Sequence, residues 1–373
     1  MKLILNPFFQ ALLTVLIFLG GAFILFGPGP ITTDKVTDEH SSDIAQKIYV
    51  AIEGEAKIAV IDPVEGAVIK NISIAGFSPH NVQVSPDNKT VWVTGNSAGH
   101  GHSLLPIKSA NADTGEIPDE VIVIDPIRDA VIKRIQIGAG IHLAHVVLTP
   151  DSRYAYVTAQ VQGMIYKIDV KSYGVIKSIA TGENSEPHGL RISPDGRFAY
   201  VAMLGNKSLG VVDLKTDRFS EVPLGGASVQ TGITPNNKFV VVSLYDTKQL
   251  AVYRVSDGSI SYIDLPATSK GPIQMYPTPD SRFIYLADQG YYFSQPSSQW
   301  VYKIDIETRK VIKEIKAGKA PHGVVVSADG KFVYVTNLLS GDVSVIDTAR
   351  DEEVKTIKVG KEPNGVSIWY KNN

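Results

Sequence analysis

Imidazole titrates near neutrality and is the commonest ligand of borderline metals, so the histidines are where chemistry could sit in this chain. There are eight in 373 residues. Pro-His pairs recur at Pro79-His80, Pro187-His188 and Pro321-His322, and Pro-Asp follows the first two at Pro86-Asp87 and Pro194-Asp195. Setting the Pro-Asp and Pro-Asn turns in register brings His80, His145, His188, Gln230, Gln274, His322 and Asn364 to one equivalent place; His145, Gln230 and Gln274 are displaced by one position. His142 lies just before His145, and His100-Gly101-His102 sits in a long polar insertion. An inner set of His80, His145, His188 and His322, closed from above by His100 and His102, would suit copper or zinc, or axial ligation of a haem-like macrocycle. Gln230, Gln274 and Asn364 would complete the ring as polar ligands. Repetition alone offers another explanation: a recurring Pro-His could shape a turn, its imidazole bonding a backbone carbonyl. His100-Gly101-His102 has no part in that repetition; its plain reading is a solvated loop.

These residues are positioned by a repeat. Pro321–Thr348 reads PHGVVVSADGKFVYVTNLLSGDVSVIDT, three short alternating runs (Gly323–Val326, Phe332–Thr336, Val343–Ile346) separated by Ala328-Asp329-Gly330 and Leu339-Ser340-Gly341-Asp342. Period-two alternation bounded by such turns predicts strands, and Glu353–Val359 supplies a fourth. The third strand ends in a hydrophobic-Asp step at Asp62, Asp125, Asp169, Asp213, Asp305 and Asp347, where a carboxylate can cap the next turn; Arg254 fills the remaining slot. Seven copies of four strands, usually about 41 to 44 residues apart, predict an all-β fold, a seven-bladed β-propeller. Innermost strands would then line a central channel, with the histidine arc at one mouth.

Tyr334-Val335-Thr336-Asn337 resembles the signature of the YVTN family of β-propeller repeats, with degenerate copies at Tyr156-Val157-Thr158 and Tyr200-Val201-Ala202. The resemblance covers nearly everything from residue 47 onward. It implies exported or surface proteins that bind things, often without a known reaction. Related seven-bladed propellers include the haem-binding domain of bacterial nitrite reductases, the copper-cluster domain of nitrous oxide reductase and some sugar-lactone hydrolases. No separate electron-transfer domain is visible here, which counts against a complete reductase.

With 44% hydrophobic residues the chain can fill cores between blades, and a net charge of −2 gives no sign of a nucleic-acid partner. No cysteine is present, which excludes disulfides, thiolate metal sites and covalent c-type haem attachment. Residues 1–27 read as a signal anchor or transmembrane helix: Ala11–Phe26 is uncharged, Phe8–Phe26 approaches the roughly 20 residues that cross a bilayer, Lys2 precedes it, and Asp34, Asp38 and Glu39 follow. A cleaved signal is the other reading. Residues 28–46 read as a flexible stalk, and 47–373 as the propeller. Residues 47 to 74 lack a first strand, and Gly365–Tyr370 is a spare strand that could pair there to close the ring.

Two long connections, Gly95–Asp119 and Gln289–Gln299, emerge on the face that carries the Pro-His pairs. The second holds Tyr291, Tyr292 and Phe293, a candidate lid or partner surface. The leading functional reading is a membrane-anchored module, with its propeller in the periplasm or cell exterior, that binds a protein partner or small ligand through this decorated face. The alternative is a metal- or haem-binding propeller, with copper as the favoured metal. A lactonase-like hydrolase is third; it would lean on Glu183, Glu186 and Arg191 near His188. No phosphate loop or serine elbow is present.

Overall fold

The structure, a computed structural model, describes residues 44–97 and 117–372. The described chain forms seven four-stranded antiparallel sheets. With strands numbered in chain order, β1 (Gln46–Ile52), β2 (Lys57–Asp62) and β3 (Ala67–Ser73) share a sheet with the last strand, β28 (Pro363–Tyr370), in the order β28-β1-β2-β3. This is the seam, blade seven. The other six blades each use four consecutive strands. Their innermost strands are β4 (Phe77–Val84), β8 (Leu143–Leu148), β12 (Pro187–Ile192), β16 (Ser228–Ile233), β20 (Pro272–Pro277) and β24 (Pro321–Val326). Each innermost strand packs on the next, and β28 returns to β4, so the ring is closed. The all-β, seven-bladed propeller expected from the repeat is the observed fold. The predicted membrane helix over 1–27, and the stalk up to residue 43, lie outside the described residues; no described helix is long and apolar enough to cross a membrane.

Burial follows the sequence pattern. Inner strands are mostly buried, and β8, β16 and β24 are buried throughout. Outermost strands carry Lys and Glu and are mostly exposed, as in Glu352–Lys358, so charge blunts the free sheet edges. Apolar side chains from neighbouring blades fuse into shared cores: Tyr49 and Ile58 of blade seven pack with Val82 and Val93 of blade one. The carboxylates at Asp62, Asp125, Asp213, Asp305 and Asp347 accept backbone N–H groups two and three residues on, and Asp169 accepts that of Ser172; the series caps turns, as expected.

Every innermost strand carries a bulge at the same place, where two of its residues face one on the second strand. Pro79 pairs with Gly95 and Val82 with Val93, leaving His80 and Asn81 opposite Thr94. Ala144 and His145 likewise face Thr158, His188 and Gly189 face Ala202, and His322 and Gly323 face Thr336. This explains the threonine of the repeat signature. Thr158 Oγ1 accepts the His145 N–H at 3.0 Å and donates to the His188 carbonyl of the next blade at 2.7 Å. Thr94, Ser243 and Thr336 make the same double bond, from Asn81 to Ala144, from Gln230 to Ile273, and from Gly323 to Asn364. The hydroxyl thus clips one blade to the next at the depth of the histidines.

Thr158→Val keeps the shape but leaves that N–H and that carbonyl buried without a partner. It should cost about 1–3 kcal/mol, read as a lower denaturant midpoint at unchanged slope. A loss below about 0.5 kcal/mol, within the range of ordinary surface changes, would remove the clip.

Candidate functional site

The bulge offers two successive positions that reach the channel mouth. His80, His188, His322 and Asn364 occupy the first; His145, Gln230 and Gln274 occupy the second. The one-position displacement in the sequence is absorbed there. Where the first position carries a long polar group, the second is often glycine, and packing demands it: a Cβ at Gly189 would come within 2.1 Å of Gln230 Oε1, and one at Gly323 within 2.3 Å of the Asn364 carbonyl.

His80, His145 and His188 converge, each bringing one ring nitrogen within 4.8 Å of the others. Their ring centroids are 5.2 to 5.9 Å apart, and all three are buried. His322 stands a little further off, 6.3 Å from His80 between ring centroids, and is not part of this convergent group. His142 has a left-handed backbone (φ 52°) that places its ring 5.5 Å from His80. Gln230, Gln274 and Asn364 are buried on the rest of the ring. His100 and His102 lie outside the described residues.

The hydrogen-bond network assigns tautomers. His80 Nδ1 is 3.0 Å from Glu53 Oε1; a carboxylate only accepts, so Nδ1 donates to it, and the Asn364 amide nitrogen 3.2 Å from the same Nδ1 gives its hydrogen to Glu53 Oε2; in the neutral ring the lone pair is then on Nε2. Glu53 Oε2 in turn accepts from Asn364 Nδ2 at 2.7 Å and from the Tyr292 hydroxyl at 3.3 Å. His188 Nδ1 donates to the Val229 carbonyl at 2.9 Å, which again leaves the lone pair on Nε2. His322 is the reverse. The Gln289 amide is oriented by the Tyr292 N–H on its oxygen, so its nitrogen donates to His322 Nδ1 at 2.7 Å, and the ring hydrogen is on Nε2. His145 is fully buried, and neither of its nitrogens has a hydrogen-bond partner among the described residues.

Burial pushes His188 down to about 3, with the neighbouring His80 adding repulsion and the Val229 carbonyl opposing it. Burial also holds His145 well below the ordinary histidine range, reinforced by His188 and His80. Both rings are therefore neutral ligand donors at pH 7. In the unfolded chain they protonate near 6.5. The fold binds fewer protons than the unfolded chain between about 6.5 and 3, so stability is full above that window and falls as pH drops through it. Denaturation of the metal-free protein should show a loss of up to about 1.4 kcal/mol per pH unit for each such histidine. The His188→Gln variant should show a shallower decline; an identical pH slope would sink this account.

Sequence reading missed Glu53 and Gln289. Both stand just past the second strand of their blade, equivalent to Asn96, Gln160, Leu204, Tyr245 and Leu338. From there a side chain reaches the start of the next blade's inner strand: Glu53 to His80, Gln289 to His322, and Asn96 to both backbone groups of Leu143. Aligning the blades on this second position would have exposed the set. Tyr292, from the blade-five insertion, touches Glu53 and lies 5.3 Å from the His322 ring, so part of the expected aromatic cluster covers the site. Of the residues that a lactonase would need, Glu183 is exposed, and Glu186 is half-buried with its carboxyl pushed up by burial.

Fold and site together define a closed seven-bladed β-propeller with a buried histidine cluster at one mouth of its channel. Residues 165–372 match the family described as YNCE-like beta-propeller, and the chain belongs to that family. A stretch of 74 residues is 35% identical to the dihydro-heme d1 dehydrogenase of Pseudomonas aeruginosa; it covers 20% of this chain and only 13% of that protein. Among solved structures, hydrazine synthase of Kuenenia stuttgartiensis superposes with a TM-score of 0.64 at 18% identity, covering 86% of this chain and 99% of that one. A dihydro-heme d1 dehydrogenase in complex with DHE superposes with a TM-score of 0.59 at 16% identity, covering 89% of this chain and 67% of the other. At such identities the structural likeness carries the fold alone.

Proposed function

We propose that this propeller holds a single transition-metal ion, copper or zinc, on His80, His145 and His188, and presents it beneath the decorated face. His145 carries the reading. A repeat-shaping histidine should bond a backbone carbonyl, and His188 does so through Nδ1. His145 does not: its buried ring faces two imidazoles and bonds nothing among the described residues. Leaving such a group unpartnered costs about 1–3 kcal/mol, which a metal would offset. Glu53 and the Val229 carbonyl hold His80 and His188 by Nδ1, the outer-shell arrangement that aims Nε2 at an ion.

A haem-like macrocycle fits less well. It fills four equatorial positions of its iron and leaves two axial ones on opposite faces, so three mutually close nitrogens could not all serve it. A bare ion uses all three and keeps an open position for a ligand. The reading gives the expected binding role a specific place. The uncharged run Ala11–Phe26, with acidic residues after it, supports siting the ring outside the cytoplasm.

The full chain, stripped with chelator and titrated with Co²⁺ or Zn²⁺, should bind one equivalent and develop the visible absorption of a low-symmetry Co²⁺ site. Glu53→Gln should weaken binding by about 10- to 100-fold. Absence of one-to-one binding for Co²⁺, Zn²⁺ and Cu²⁺ alike would overturn the proposal.

A further inference from the structure

Opposite the histidines, the channel wall is made of donors. Gln230 is fully buried, and its amide is oriented because Oε1 accepts the Thr231 N–H at 2.9 Å. Its Nε2 therefore faces away from that bond, and it has no partner among the described residues. Gln274, on the next blade and 4% exposed, also has an Nε2 without a partner. Further along the inner strands comes a second layer in the same register: Gln83, Val147, Arg191, Gly232, Tyr276, Val325 and Ser367.

Arg191 is the charged member. Its one hydrogen bond among the described residues runs from Nη1 to the adjacent Leu190 carbonyl at 2.9 Å, and it forms no ion pair with a described carboxylate. Its charge is felt by His145 in the layer above and by Tyr276 two blades on. The blade between Arg191 and Tyr276 contributes Gly232, which has no side chain, beneath Gln230. From the opposite face, a cavity of about 420 Å³ lined by Gln83, Tyr276, Val325 and Ser367 reaches this layer.

A guanidinium that gives one hydrogen bond to a backbone carbonyl and meets no described carboxylate, beside two amide nitrogens with no acceptor among the described residues, calls for an anion. We propose that Arg191, Gln230 and Gln274 seat a small oxyanion of carboxylate size in the channel, directly below the histidine cluster. Glu53, the acidic group that reaches this ring, is engaged by His80, Asn364 and Tyr292. This goes beyond the metal reading and names the ligand class for the ion's open position, yet the seat belongs to the protein and does not need the metal.

The full chain, stripped with chelator, is titrated with sodium formate and separately with inorganic phosphate. Calorimetry and thermal melting follow binding, with ionic strength held by a bulky sulfonate buffer. Formate should bind saturably and raise the melting temperature; phosphate, which is larger, should bind more weakly. Arg191→Gln should weaken formate at least about tenfold, as expected for a charge-assisted hydrogen bond, while Co²⁺ binding is kept. Gln274→Leu serves as a second variant with its own expected loss, in case the arginine change prevents folding. No saturable formate binding in the parent, or unchanged binding in both variants, overturns the seat. Formate binding without metal binding would keep the seat and refute the metal reading; metal binding without formate binding would do the reverse.

Discussion

His145→Leu should leave the metal-free protein at least as stable as the parent and abolish its metal-dependent stabilisation. The two effects have opposite causes. Leucine has similar bulk and no polar atoms, so it removes a fully buried ring whose nitrogens lack partners among the described residues. Relief of that burden is worth about 0–2 kcal/mol in the metal-free fold, against the roughly 1–3 kcal/mol cost of an unpartnered buried group. The parent with metal at one hundred times its Kd gains about 2.7 kcal/mol, and the variant, short of one ligand from the convergent set, should gain almost nothing. Paired denaturant titrations with and without Zn²⁺ measure both. If His145 were a turn-shaping residue, the variant would lose stability in the metal-free state and its response to Zn²⁺ would match the parent's.

The ring was legible because most blades repeat the same signals: alternating apolar runs, Asp-capped turns and a Pro-Asp or similar corner. The convergence of His80, His145 and His188 could also be anticipated, since register alone places them at one height. What register could not show was which of the four arc histidines act together. That is decided by single, non-repeating partners. Glu53 on one side and Gln289 on another give His80 and His322 opposite tautomers, although both follow a proline in the same bulge. The bulge itself was invisible in the sequence, because an extra residue opposite Thr158 or Thr336 looks like ordinary strand. Arg191 showed its place only with the inner strands in register, where it proves to lie in the layer below the histidines.

Deleting residues 360–373 should cost the protein its cooperative fold. The seam strand β28 pairs along β1, packs against both β4 and β24, and carries Val366, Ile368 and Trp369 into two of the shared cores. Trp369 also donates its indole N–H to the Asn88 carbonyl of blade one at 2.8 Å, and the Tyr370 hydroxyl accepts the Ala328 N–H of blade six at 2.7 Å. The strand thus bonds blades on both sides of the seam. Trp369→Ala alone should cost about 3–5 kcal/mol, the range for losing a large buried aromatic. Loss of the whole strand also uncovers β1, β4 and β24, and bare edges of this kind recruit other chains. Calorimetry and size-exclusion chromatography of the truncated protein should show no sharp melting transition and a shift to aggregates. A synthetic peptide of residues 360–373, added in excess, should restore part of the transition, because it binds only the folded ring. A truncated protein that melts with the full chain would show that six blades and a three-stranded remnant hold together without the seam. The same truncation removes Asn364 from Glu53, so any metal affinity left in a folded remnant would report how far the histidine cluster depends on closure of the ring.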